Sequence, residues 1–148
     1  MPHLTVPITA WGPLLNCLVT VSEPRLKAIL AAKLPPPMPV VVSLLVDTGA
    51  SGCAIDPAKL APLGLTPTGS CAIHTPSTGA TPHQVDSYDV GLVIFGQVNQ
   101  PPVFTIGVLP VMASSFNAQG IDGLLGRDFL QTVRLIYSGP DQHVLLSF

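Results

Sequence analysis

Leu44-Leu45-Val46-Asp47-Thr48-Gly49-Ala50-Ser51 decides how the rest of this chain is read. The apolar, partly β-branched residues Val40, Val41, Val42, Leu44, Leu45 and Val46 predict a buried strand that runs straight into one carboxylate. Asp47 stands where that strand ends. A hydroxyl, Thr48, and a residue that accepts any backbone angle, Gly49, follow it. Burying a carboxylate is costly unless it is hydrogen-bonded or paired. An Asp so placed is either kept for chemistry or opens a β-turn, for which Asp-Thr-Gly is equally suited. The octapeptide alone leaves both readings open.

Downstream, residues 53–55 read as a short return strand, and Asp56-Pro57 as a cap and first-turn proline opening a helix over 58–63 that Gly64 stops. Residues 71–85 are polar and turn-rich, with strand patterns on either side. They predict a long hairpin with a mobile tip. Residues 84–95 alternate and predict a strand, 103–109 another, and 114–120 a polar loop. Ile121-Asp122-Gly123-Leu124-Leu125-Gly126-Arg127-Asp128-Phe129-Leu130 is the second informative stretch: large apolar residues, a glycine, then a short helical pattern with charges at its start. Residues 133–137 and 144–148 predict strands joined by a Ser-Gly-Pro-Asp turn.

Upstream, residues 4–21 predict one or two short strands, 14–21 being the better defined. Trp11 is expected to pack. Ser22-Glu23-Pro24 predicts a helix start, with the helix running to about Lys33 and presenting Leu26, Ile29 and Leu30 on one face. Leu34-Pro35-Pro36-Pro37-Met38-Pro39 ends it in an extended linker. Residues 1–39 therefore read as an N-terminal extension packed on the same domain, and 40–148 as the main domain.

Composition narrows the class. The 148 residues suit one domain, 47% are hydrophobic, and only 9% are charged. That supports a sizeable core and leaves little charge to cover a monomer, so apolar area is expected to be hidden in an oligomer. The 17 prolines and 13 glycines cut the chain into short segments, pointing to an all-β domain. A net charge of −2 with no basic stripe argues against nucleic acid. No apolar run is long enough to span a membrane, and the start lacks a signal-peptide pattern. Cys17, Cys53 and Cys71 fit no metal or redox spacing and are expected to be reduced packing residues of a cytoplasmic protein. No cofactor is implied.

Asp-Thr-Gly-Ala-Ser at 47–51, a turn-rich hairpin at about 71–85, and Leu-Leu-Gly-Arg-Asp at 124–128 occur in the order found in retropepsin-like aspartic proteases, which the segment from Val40 onward resembles. The N-terminal segment resembles an extension seen on some bacterial-looking members. The resemblance implies a barrel-like single lobe with a flap hairpin and one or two short helices, working as a two-fold homodimer on a peptide or protein substrate. Such chemistry needs two carboxylates about 3 Å apart sharing one proton, because like charges that close do not both ionise. This chain has one Asp-Thr-Gly. Asp86-Ser87-Tyr88 and Asp122-Gly123-Leu124 lack the pattern, so the second carboxylate must come from a second copy.

By the same resemblance, Asp47 would activate water and protonate the leaving nitrogen, and the Thr48 hydroxyl would bond across the dimer axis. Gly49 would let the substrate backbone approach, Gly126 would let the active-site loop pass close by, and Thr48, Gly49, Ala50, Ser51 and Gly126 together would support that loop. His74, Thr75, Pro76, Ser77, Thr78 and Gly79 would belong to the flap, with its tip at 75–79. Leu124, Leu125, Arg127 and Asp128 would be structural. Two departures stand out. Retroviral members commonly carry an Asp where this chain has Ser51, paired with the Arg of Gly-Arg-Asp; here Arg127 is expected to pair with Asp128, Asp56 or a partner chain. The flap also carries Pro76 and a single Gly79 instead of a glycine-rich tip.

Other chemistries fit less well. Gly49-Ala50-Ser51-Gly52 misses the Gly-x-Ser-x-Gly elbow by one residue. His3, His74, His83 and His143 show no metal spacing, and His74 and His83 are expected on the flap surface. Asp122 and Asp128 are expected to be structural, as a loop cap and a helix-start charge. Beside the endopeptidase stands one alternative, a catalytically silent dimer of the same fold that binds peptide or assembles.

Overall fold

Strand β2 (Gly12–Val21) shows how the pattern becomes a barrel. Its side chains alternate, with Leu15, Cys17, Val19 and Val21 buried and their neighbours facing outward. One edge of β2 pairs antiparallel with β3 (Val40–Val46) and the other with β6 (His83–Phe95). A computed structural model describes residues 2–74, 79–96, 101–116 and 118–148.

The ring continues from β3. It runs parallel to β8 (Gly123–Leu125), β8 pairs antiparallel with β4 (Cys53–Ile55), and β4 runs parallel to β7 (Pro102–Ala113). Antiparallel pairing of β7 with β6 then closes six strands on themselves. Val19, Val42, Leu44, Val90, Leu92, Leu125 and Phe129 fill the interior and are almost wholly buried. Closure leaves none of these six strands with an open edge along its whole length, which suits an apolar chain.

Four further strands extend the sheet. β5 (Gly69–Ile73) forms a hairpin with β6. β1 (His3–Thr9), β10 (His143–Ser147) and β9 (Arg134–Ser138) make an antiparallel trio, with Leu4 opposite Leu146 and Val6 opposite Val144. The β1–β2 turn needs Gly12, whose φ is +107°.

The helices are short. α1 (Glu23–Ala31) lies over β7, where a Cβ added to Gly107 would sit 2.6 Å from the Glu23 carboxylate. Leu26 and Ile29 pack on the core, but Leu30, expected on the same face, is 55% exposed because the helix touches the barrel along one narrow line. Ser22 is buried at the helix start without capping through its side chain. α2 (Pro57–Leu60) is capped by Asp56 and passes into a single tight turn over Ala61–Leu63, ended by Gly64 in the left-handed region. α3 (Arg127–Leu130) follows β8 directly.

Candidate active site

Strand β3 delivers Asp47 to one end of the barrel. The Asp47 amide donates to the Leu125 carbonyl at 3.0 Å, extending the β3–β8 pairing one step past the strand. The carboxylate then folds back over its own loop. Oδ1 accepts from the amides of Gly49 at 2.8 Å and Ala50 at 3.3 Å. Among the described residues no group donates to Oδ2. Asp47 is half-buried, while Thr48, Gly49 and Ser51 are exposed. The turn reading of Asp-Thr-Gly is therefore met by one oxygen of Asp47, and among the described residues the other takes no donor.

The loop is held from below by the start of α3. Three consecutive carbonyls, those of Thr48, Gly49 and Ala50, accept from Arg127: the first two from Nη1 at 3.0 and 2.9 Å, the third from the backbone amide at 2.9 Å. This corrects the expectation of an Arg127 ion pair with Asp128 or Asp56. Both carboxylates are already engaged by N–H and S–H donors. Asp56 accepts from Ala58 and Phe116, and Asp128 from Cys53 and Phe129. The guanidinium turns to backbone oxygen instead. Gly126 is where the two segments cross, since a Cβ there would fall on the carbonyl group of Gly52.

Beneath the loop lies a contact that the residue pattern did not reveal. Asp128 Oδ2 accepts from the Cys53 amide at 3.1 Å, and Oδ1 accepts from the Cys53 thiol at 3.0 Å. The Gly126 amide in turn donates to Cys53 Sγ at 3.4 Å. Burial first, and then the Asp128 carboxylate, push the Cys53 thiol well above the usual range, so it stays a protonated donor. The three cysteines are free.

Beside the loop opens a cleft of about 580 Å³. One wall is the motif loop, Gly49 to Gly52, with Arg127. Another is the end of β5, Ala72 and Ile73, with His74. Ala54, Met112 and Leu124 lie along its apolar side, and Ser114, Ser115, Phe116 and Gln119 complete it. Asp47 is not in the lining; it is tied to the amides of Gly49 and Ala50, which are. Leu124 faces the cleft half-buried, while Leu125 points into the core.

The expected flap falls on the β5–β6 hairpin, whose last described pair is Ile73 with His83. Thr75, Pro76, Ser77 and Thr78 lie outside the described residues. Gly79 has φ +62°, and both His74 and His83 are exposed. Trp11 is 59% exposed, with its ring against Gly120 at the end of the loop that lines the cleft. Asp122 ties the network inward, accepting from the Ser43 amide at 2.9 Å and lying 3.6 Å from the Lys59 ammonium. Among the described residues no three metal-ligating side chains come together.

Comparisons with known proteins bear on the family and the fold. A family model described as aspartyl protease matches residues 39–129. No curated protein matches the chain. Among solved structures, the chain is similar to a retropepsin-like aspartic protease from Rickettsia conorii, with a TM-score of 0.56 and 14% identity, over 98% of this chain and 89% of that one.

Proposed function

The chain belongs to the retropepsin-like aspartyl protease family, and on that premise we propose that it is an aspartic endopeptidase that works as a homodimer. One observation carries the reading. Asp47 ends a barrel strand with one oxygen held by its own loop, beside a cleft, and the chain offers no second Asp-Thr-Gly to pair with it. A two-fold axis through the motif loops supplies the partner carboxylate from a second copy.

In this reading the two Asp47 side chains share one proton. The ionised one takes a proton from a water, whose oxygen attacks the scissile carbonyl. The protonated one then gives its proton to the leaving nitrogen as the C–N bond breaks. Thr48 bonds across the axis, and Arg127 holds the motif loop by the carbonyls of Thr48 and Gly49. The β5–β6 hairpin, with the segment His74 to Gly79, closes over an extended peptide and adds strand-like hydrogen bonds. Residues 40–148 carry these groups, and residues 1–39 contribute β1, α1 and the barrel strand β2. No helix among the described residues is long and apolar enough to cross a membrane. Free cysteines support a reducing, cytoplasmic setting.

The test is cleavage of a diverse peptide mixture from about pH 4 to about pH 8 by wild type beside Asp47→Asn. The reading expects cleavage by wild type alone, favoured on the acid side. Cleavage by neither protein would leave the silent binding dimer in its place.

A further inference from the structure

The carboxylate of Asp56 does two jobs at once. It is 6% exposed, with both oxygens engaged. Oδ1 accepts from the Ala58 amide at 2.9 Å and caps α2. Oδ2 accepts from the Phe116 amide at 2.8 Å, sixty positions along the chain. Capping a helix of four residues needs one oxygen, and a serine would serve. The second oxygen is spent on the cleft. Past β7, the Ser114 amide donates to the Ile55 carbonyl at 3.2 Å, and the next tether is Phe116 to Asp56. Ser114, Ser115 and Phe116 line the cleft, as does Gln119, whose amide donates to the Phe116 carbonyl at 2.9 Å. At its far end the segment turns at Gly120, φ +67°, under the Trp11 ring.

We infer that Asp56 is a positioning residue for substrate: through the Phe116 amide it fixes the 114–116 wall of the cleft and so sets the subsite that this wall forms with Ala54, Met112 and Leu124. The inference rests on the endopeptidase reading. Among the described residues that side of the cleft carries no charged side chain, so the subsite takes an apolar substrate side chain and rejects a charged one. Asp56 touches neither the peptide nor Asp47, so its loss acts on binding and selectivity before it acts on chemistry. Without Oδ2 the Phe116 amide is a buried donor with no acceptor, and the wall shifts until water reaches it.

The decisive variant is Asp56→Ser, which keeps an oxygen for the α2 cap and cannot span to Phe116. Kinetics on a peptide that wild type cleaves, and on a series of that peptide with single apolar and charged replacements, read substrate binding. Amide hydrogen exchange reads the wall without catalysis. The inference expects KM up about tenfold with kcat within about twofold, a flattened preference for apolar side chains, and faster exchange at Phe116 with Leu60 still protected. Unchanged KM and an unchanged Phe116 amide, in a variant that cleaves, would overturn it and leave Asp56 a helix cap. Should Asp56→Ser not fold, Asp56→Asn decides by the same two readouts. Failure of wild type to cleave any peptide would instead sink the endopeptidase reading itself.

Discussion

Arg127 reaches the motif loop through backbone oxygen, and that is why its partners escaped the sequence. A carboxylate partner has a residue type to search for; the carbonyls of Thr48 and Gly49 have none. Gly126 was easier to read, because a glycine between apolar residues and a charged helix start signals close approach. The structure gives the reason in atoms, with the Gly52 carbonyl occupying the place of a side chain. Gly126→Ala is therefore expected to cost about 3 kcal/mol, since backbone on both sides has to move. A urea titration checks this through a lowered midpoint at unchanged slope; an unshifted midpoint would mean that the crossing is slack. The Cys53 contact and the second bond of Asp56, already legible as a helix cap, escaped for a different reason. Their partners, Asp128 and Phe116, are far along the chain, and nothing local marks them.

At the level of elements, the strands were readable and their neighbours were not. β-branched runs punctuated by proline and glycine predicted β2, β3, β6, β9 and β10 close to their observed spans. β7 runs on to Ala113, past the expected end at 109, because Pro110 is accommodated within its pairing with β6. Leu124-Leu125 belongs to β8, only three residues long, and its parallel pairing with β3 joins chain segments that no turn connects. Parallel pairing leaves no turn signature, so that link had to be seen. α3 has the clearest mechanical task, to hold the motif loop by Arg127. Because Arg127 is exposed, Arg127→Ala should cost only about 1 kcal/mol of stability. It should lower kcat/KM far more, about tenfold, since the loop carries Asp47. Urea midpoints beside cleavage rates separate the two effects, and equal activity in the variant would deny the loop its anchor.

At the scale of the molecule, a closed six-strand barrel carries the motif loop, the cleft beside it and apolar residues left at its surface. Met38 is 81% exposed, Val41 65% and Tyr137 59%. The scarcity of charge announced such a surface, and the all-β class followed from composition and punctuation. Composition also suggested an oligomer, but it is the endopeptidase reading that calls for a second copy: a single Asp47 cannot share a proton with itself. If the dyad forms between chains, a dimer of one wild-type chain and one Asp47→Asn chain holds one carboxylate and does not turn over. The direct measurement is the cleavage rate of wild type mixed with Asp47→Asn at equal concentration, after chains have exchanged. Random pairing leaves about a quarter of the wild-type rate of the same total protein, because only pairs with two intact Asp47 residues work. A rate of about half, proportional to the wild-type chain present, would mean that each chain cleaves with its own residues and that Asp47 needs no partner.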